Sequence, residues 1–167
     1  MKSQIILIGA GGHAASCIDV VEQEGNYQIA GLVGDASQKG TRIMGYELIG
    51  DDADLPRLAK SFQYALITVG QIQTAEPRMR LYAEATAHGL QLPSIVSPHA
   101  YLSQSAVLGA GTILMHGSVV NAGAKVGTNC IINTGAIIEH GVVIGANCHI
   151  STGVILNGDV RVGDQSF

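Results

Sequence analysis

The chain has 167 residues, enough for one large domain or two small ones, and its 9 lysines and arginines against 13 carboxylates give a net charge of −4. So weak a positive field argues against nucleic acid as a partner. The first apolar run, residues 5–8, is too short for a signal-peptide core or a membrane span. Three scattered cysteines indicate neither a disulfide framework nor a zinc cluster, so a reduced, cytoplasmic environment is expected.

The first half of the chain predicts a small α/β domain. Residues 5–8 have the pattern of a buried parallel strand, and a glycine-rich turn follows directly, Gly9-Ala10-Gly11-Gly12-His13-Ala14. A helix is predicted next, because apolar residues recur at helical spacing at Ala14, Cys17, Ile18 and Val21. The later predicted elements are strands at 29–33 and 64–69, a short helix opened by Asp54 and Pro56, and a helix from Thr74 to about His88. This alternation is typical of a parallel sheet covered by helices, with a domain boundary near residue 93.

The glycine-rich turn suggests a nucleotide site. Without side chains, the backbone N–H groups between a strand and a helix can approach an anion at the helix N-terminus. Gly9, Gly11 and Ala14 match the dinucleotide fingerprint only in part, and Asp35 lies where a ribose-binding carboxylate would be. Three interpretations stay open: a nucleotide sugar, NAD, or a tight turn without a ligand. We favour the nucleotide sugar, because so small a domain leaves little room for the second half of an NAD-binding fold.

The second half of the chain is a six-residue repeat. Every sixth residue from Val96 is a branched aliphatic, and the residue four places after each is nearly always small. The aliphatic positions are Val96, Leu102, Leu108, Leu114, Val120, Val126, Ile132, Ile138, Ile144, Ile150, Leu156 and Val162. A period this short predicts a solenoid in which each turn stacks on the one before. Glycine also recurs once in every third unit, at Gly109, Gly127, Gly145 and Gly163, so three units are expected to form one triangular coil.

Such a run resembles the hexapeptide-repeat acyltransferases, which form left-handed parallel β-helices, usually trimers with active sites between subunits. The predicted fold class is therefore an α/β Rossmann-like N-terminal domain, residues 1–93, followed by an all-β left-handed parallel β-helix, residues 94–167. The twelve units between Val96 and Phe167, taken three to a coil, make four coils. The chain stops at Phe167 in mid-repeat where relatives continue, so the β-helix domain is expected to be truncated.

His140 is the candidate catalytic residue. A neutral imidazole beside a carboxylate can accept a proton near pH 7, and Glu139 directly precedes His140. Since Ile138 faces inward, His140 is expected near an outer corner of the coil, with the Glu139 side chain leaving the strand on the other side. His149 is expected on a different face. The alternative is an exposed coil histidine without a role.

The other histidines and the cysteines have plainer interpretations. His99 and His116 are interpreted as structural or solvent-exposed. No three histidines have a spacing typical of zinc, although a few hexapeptide-repeat proteins, such as the carbonic-anhydrase-like ones, do bind it. Cys130 and Cys148 occupy the small inward position in successive predicted coils, so they are expected to be packed thiols and not a nucleophile.

With the glycine-rich turn in front and Asn133, Glu139-His140 and His149 behind, the chain is similar to the bacterial sugar acetyltransferases of the PglD/NeuD type over essentially its whole length. The resemblance implies acetyl-CoA as co-substrate, no metal, a homotrimer, no membrane insertion, and direct transfer without a covalent enzyme intermediate. It implies His140 as the base, Asn133 near the sugar, and His149 and Gly158 at acetyl-CoA. It also implies that Gly11, Gly12 and His13 meet the uridine diphosphate and that Asp35 meets the nucleoside.

The resemblance leaves the reaction partly open. The leading expectation is acetylation of the 4-amine of a UDP-linked 4-amino-4,6-dideoxy sugar. The alternatives are O-acetylation of sialic or another nonulosonic acid, and a non-catalytic nucleotide-binding module that only forms trimers. Some relatives have a glutamate directly after the catalytic histidine, where this chain has Gly141, so Glu139 is predicted to serve in its place.

Overall fold

The computed structural model describes residues 2–38 and 40–167. The chain divides into two compact units, Met1–Gly70 with Glu76–Pro93, and Gln71–Ala75 with Ser94–Phe167. The grouping of residues 71–75 with the second unit was not anticipated from the sequence. Within the described residues, no helix has both the length and the apolar character needed to cross a membrane.

The first unit is a five-stranded sheet with helices, as the sequence predicted in outline. Its sheet has the order β3-β4-β2-β1-β5, in which β3 alone runs antiparallel to its neighbour. The elements are β1 (Ser3–Ile8), α1 (Gly12–Glu24), β2 (Tyr27–Val33), β3 (Arg42–Ile43), β4 (Tyr46–Gly50), α2 (Leu55–Leu58), β5 (Tyr64–Ile67) and α3 (Glu76–Ala87). Short 3₁₀ helices lie at Ala36–Gln38 and Asp52–Asp54.

The core of the first unit is built around β1. Its last four residues have no exposed surface, as expected for an inner parallel strand covered on both faces. Helix α1 buries Ala14, Cys17, Ile18, Val20 and Val21, so the predicted helical face is confirmed. The helix ends at Gly25, whose φ of 73° is the left-handed conformation that glycine adopts without steric cost.

In the first unit, one hairpin was missed and two local predictions are corrected. The hairpin of β3 and β4 was missed, because β3 has only two residues and β4 alternates weakly between half-buried and exposed positions. Asp54 holds the predicted N-cap position of α2, but its side chain makes no capping hydrogen bond to that helix. It completes instead the capping box of the preceding 3₁₀ helix, in which Asp51 accepts the Ala53 N–H over 2.9 Å. Strand β5 ends at Ile67, two residues earlier than predicted.

The second unit is a left-handed parallel β-helix. Twelve strands of two residues each, β6 to β17, form three parallel sheets of four strands, and every predicted aliphatic position is the second residue of a strand. The strands are Ile95–Val96, Tyr101–Leu102, Val107–Leu108, Ile113–Leu114, Val119–Val120, Lys125–Val126, Ile131–Ile132, Ile137–Ile138, Val143–Ile144, His149–Ile150, Ile155–Leu156 and Arg161–Val162. Each of the strands β6 to β14 pairs with the strand three units further along the chain, as β10 does with β13 through Val120 and Ile138. The predicted solenoid and its coil of three units are thus confirmed.

The predicted glycine column is a close backbone contact between coils. A Cβ on Gly109 would lie 2.5 Å from the carbonyl carbon of Gly127, and a Cβ on Gly127 would lie 2.5 Å from that of Gly145. Real Cβ atoms do not come so close to backbone, and the backbone of the next coil cannot move aside without breaking its own ladder. These positions therefore exclude every side chain.

Gly127→Ala should destabilise the β-helix by about 2–4 kcal/mol, because the methyl group forces two coils apart. Urea unfolding followed by circular dichroism measures the change. Gly123→Ala is the matched control: a Cβ there meets nothing within 4 Å, and its φ of 70° adds only conformational strain of about 1–2 kcal/mol. Equal losses in the two variants would show that the coils can separate without cost.

Candidate functional site

His140 follows strand β13 on the outer surface of the β-helix. Its side chain is 68% exposed, which confirms the predicted position near an outer corner. The Glu139 carboxylate does not leave on the opposite side as the sequence suggested: its Oε2 lies 3.9 Å from Nδ1 of His140. The turn bends the backbone after Ile138, so the strict alternation of a strand no longer applies. Glu139 can therefore act electrostatically on His140.

Gly158 lies against the imidazole of His140 from the next coil. A Cβ on Gly158 would be 2.6 Å from both Cε1 and Nε2 of the ring. The two residues occupy the same place in successive coils, so they are neighbours in one column. The absence of a side chain at position 158 is what lets the ring occupy its place. The resemblance had implied a contact of Gly158 with acetyl-CoA, and the structure adds this contact with His140.

Asn121 belongs to the same cluster and was missed in the sequence. Its Nδ2 donates a hydrogen bond to Glu139 Oε2 over 3.0 Å. Asn121 lies one coil before Glu139, since β10 and β13 pair in that register. The coil repeat could therefore have identified Asn121 as the neighbour of Glu139. It could not have indicated that the two side chains make a contact.

His149 and Asn133 form a second cluster, on a different sheet of the β-helix. His149 is 7% exposed and its Nδ1 lies 2.7 Å from the carbonyl oxygen of Gln71. Because a carbonyl only accepts, Nδ1 carries the proton, and Nε2 accepts from Asn133 Nδ2 over 2.9 Å. The ring also packs edge-on against Phe167, with 5.1 Å between centroids. The structure thus joins two residues that the resemblance had assigned to different substrates.

The segment 71–75 reaches the β-helix through the same histidine. Gln71 is 2% exposed, and its Nε2 lies 3.3 Å from the carbonyl oxygens of both Gln165 and Ser166. Gln71 was missed in the sequence because it is far from His149 along the chain and belongs to no repeat.

The glycine-rich turn of the first unit borders a cleft of about 570 Å³ at the carboxyl edge of the sheet. A Cβ on Gly9 would lie 2.6 Å from the backbone nitrogen of Val69, so the turn itself requires this glycine. At Gly11 and Gly12, by contrast, a Cβ would meet nothing within 4 Å. Gly11 lines the cleft and Gly12 begins helix α1, so the backbone there is open to a ligand. His13 is partly buried on the first turn of that helix, near Gly70.

Asp35 lies on the rim of this cleft, just after β2. Its side chain is exposed and accepts the Ser37 N–H over 2.8 Å, and hydrogen bonding by Ser37 holds the pKa of the carboxyl below its ordinary value. The cleft also contains Asp52 and Arg80, whose ion pair spans 2.7 Å. An ionised Asp35 at this place can accept hydrogen bonds from the hydroxyls of a ribose.

The thiols at 130 and 148 are buried, as predicted. Cys148 N–H donates to Cys130 Sγ over 3.4 Å, and Cys148 Sγ lies 3.0 Å from the Gly163 carbonyl oxygen. The hydrogen bond with Cys130 lowers the pKa of the Cys148 thiol to about 7, but both side chains are inside the coil. Among the described residues, no three His, Cys, Asp or Glu side chains form a group that could hold a metal ion.

Comparison with known proteins gives concordant matches. Residues 4–83 match the family described as the PglD N-terminal domain. A variant of perosamine N-acetyltransferase from Caulobacter crescentus, solved with CoA and GDP-perosamine, is 32% identical with a TM-score of 0.87, over 95% of this chain and 73% of that one. The acetyltransferase domain of PglB from Neisseria gonorrhoeae FA1090, solved with acetyl coenzyme A, is 26% identical with a TM-score of 0.84, over 98% and 86%.

A further structure supports the fold alone. WeeI from Acinetobacter baumannii AYE is 18% identical with a TM-score of 0.69, over 96% of this chain and 89% of that one. No protein with a curated description matches the chain in sequence. The α/β unit, the β-helix and the match to perosamine N-acetyltransferase together identify the family: the chain belongs to the bacterial acetyl-CoA-dependent sugar acetyltransferases of the PglD/NeuD type.

Proposed function

We propose that the protein transfers the acetyl group of acetyl-CoA to the 4-amine of a nucleotide-linked 4-amino-4,6-dideoxy sugar, with His140 as the general base. The observation that carries this proposal is the exposed imidazole of His140, which lies over the bare backbone of Gly158 with a carboxylate 3.9 Å from Nδ1. A neutral imidazole can act as a general base, and the adjacent carboxylate stabilises the cation that forms.

The proposed transfer is direct. Nε2 of His140 accepts a proton from the sugar amine while the amine nitrogen forms a bond to the thioester carbonyl carbon. The C–S bond then breaks, CoA leaves as a thiolate, and the imidazolium returns the proton to the sulfur. No enzyme nucleophile is required, in keeping with the burial of Cys130 and Cys148.

The nucleotide of the acceptor is proposed to bind the cleft of the first unit. Backbone N–H groups at Gly11, Gly12 and His13 can bind an anion at the start of α1, and Asp35 suits a ribose hydroxyl. The sequence resemblance favoured a uridine diphosphate, whereas the C. crescentus relative was solved with GDP-perosamine. Both nucleotides therefore belong in the assay.

Acetyl-CoA is proposed to bind along the β-helix next to the base. The bare backbone of Gly158 lies against His140, and the pair formed by buried His149 and half-buried Asn133 supplies a fixed polar group on the neighbouring sheet. Because Asn133 Oδ1 accepts the Thr134 N–H over 2.8 Å, its amide is held at both ends. Asn133 would then offer its second N–H to the sugar or to the thioester.

A homotrimer is also proposed. The outward residues of one sheet are all apolar: Tyr101 is 57% and Ile155 61% exposed, and Val119 and Ile137 between them are half-buried. Glu139 and His140 follow β13, one of the two inner strands of this sheet. A contiguous apolar strip of this kind marks an interaction surface, and a subunit interface there would lie beside the base.

His140→Ala should lower kcat by about 10²–10⁴-fold with little change in KM, because the acceptor amine loses its proton acceptor. The measurement is acceptor-dependent release of CoA thiol, with UDP- and GDP-linked 4-amino-4,6-dideoxy sugars and with sialic acid as acceptors. His88→Ala, an exposed histidine at the end of α3, is the matched control. A near-normal rate in His140→Ala would contradict the assignment of the base. CoA release with sialic acid alone would mean that the acceptor group is a hydroxyl and not an amine.

Gly158→Ala should lower kcat at least about tenfold, because its methyl group displaces the ring of His140 from its place. Position 158 does not require a left-handed backbone, so the fold should tolerate alanine. The same assay applies, and the His140→Ala, Gly158→Ala double variant should be no slower than His140→Ala alone. Full activity of Gly158→Ala would mean that catalysis does not require the His140 ring to occupy this position.

Ile155→Glu should convert the trimer to smaller species, because three carboxylates would enter an apolar interface. Light scattering coupled to gel filtration measures the mass. Val107→Glu is the control, as Val107 is 57% exposed but lies on a different sheet. An unchanged mass for Ile155→Glu would place the subunit interface elsewhere.

A further inference from the structure

We propose that Asn121 is a positioning residue for acetyl transfer. It holds the Glu139 carboxylate beside Nδ1 of His140, so that neutral His140 keeps its proton on Nδ1 and presents Nε2 as the proton acceptor. The inference rests on the proposed role of His140 as the base. Its evidence is a chain of contacts that crosses from one coil to the next.

The first contact fixes the direction of the Asn121 amide. Its Oδ1 accepts the Ala122 N–H over 2.9 Å, so the oxygen end is occupied by the backbone. An amide has donors at one end and acceptors at the other, and the Nδ2 end is therefore directed to the carboxylate. Nδ2 donates to Glu139 Oε2 over 3.0 Å, which holds one end of a flexible, partly exposed side chain.

The second contact links the same oxygen to the base. Glu139 Oε2 lies 3.9 Å from Nδ1 of His140, within ion-pair distance but too long for a hydrogen bond. A carboxylate only accepts, so its field favours a proton on the nearer ring nitrogen. Without Asn121, Glu139 is free to turn into solvent, and the preference between the two ring nitrogens is reduced. Asn121 thus acts on the base only through Glu139.

One other charged group faces this turn from a neighbouring coil. Asp159 donates its backbone N–H to the His140 carbonyl oxygen over 2.9 Å, and its Oδ1 occupies the space that a Cβ on Gly141 would take. In the coil before, the residue stacked on His140 is the uncharged Ala122. Among residues 2–38 and 40–167, Glu139 supplies the one carboxylate within ion-pair distance of His140. Glu139 is therefore the group whose position determines the tautomer.

Asn121→Leu tests the proposal, because leucine has a similar volume and no amide. In long-range ¹H–¹⁵N spectra recorded at alkaline pH, where imidazoles are neutral, the variant should shift the ring from the Nδ1–H toward the Nε2–H tautomer. Its kcat should fall by about 3- to 5-fold, the size expected for one exposed ion pair, with the KM of the acceptor unchanged. Asn157→Leu is the matched control: Asn157 lies in the same column, one coil after Glu139, and should change neither quantity.

A Glu139→Gln background separates positioning from mere stability. There, Asn121→Leu should cause no further loss of kcat and no further change of tautomer. An unchanged tautomer in the single variant, or an equal loss of kcat in both backgrounds, would overturn the proposal. If Asn121→Leu does not fold, Asn121→Ser is measured by the same two readouts. Normal activity of His140→Ala would instead contradict the proposed function, because that variant lacks the base itself. The Asn121 variants test only how the base is positioned.

Discussion

The stacking of one coil on the next determines which residues meet in the β-helix, and the candidate site around His140 depends on it. Strands donate backbone N–H groups to carbonyls of the coil that follows, as Ile131 does to Cys148 over 2.8 Å and Ile137 to Val154 over 2.8 Å. Consecutive coils are therefore locked at the spacing of paired strands, about 4.8 Å. A residue meets its counterpart in the next coil whatever their identities, and the chemistry of each column follows from that contact.

The candidate active site consists of departures from these columns. One column holds Ile95, Ile113 and Ile131 and then His149, so a polar ring replaces an isoleucine and is satisfied by Asn133 and the Gln71 carbonyl. Next to β13, His140 lies over Gly158, and Asn121 over Glu139. At these places Gly158 and Asn121 contact side chains of the neighbouring coil: Gly158 lies against the His140 ring, and Asn121 donates a hydrogen bond to Glu139.

The glycines of the first unit have a different role from those of the β-helix. They lie at the carboxyl edge of a parallel sheet, where backbone N–H groups at a helix start can approach an anion without interference from side chains. Gly9 is required by the turn, since Val69 occupies the place of any side chain, whereas Gly11 and Gly12 leave the backbone open. The same residue type thus has a structural role at one position and is available to a ligand at the next two.

The β-helix, β1 and α1 of the α/β unit, and the exposure of His140 were predictable from the sequence, because period and composition act over short stretches of chain. The β3–β4 hairpin was not predicted, because strands of so few residues show no periodicity in the sequence. Tertiary structure alone decided that Glu139 turns toward His140, that Asn121 holds Glu139, and that Asn133 and Gln71 meet at His149. These contacts depend on side-chain torsions and on segments brought together from distant parts of the chain. Residue spacing can specify a neighbour in a repeat, but it cannot specify which atoms of that neighbour make contact.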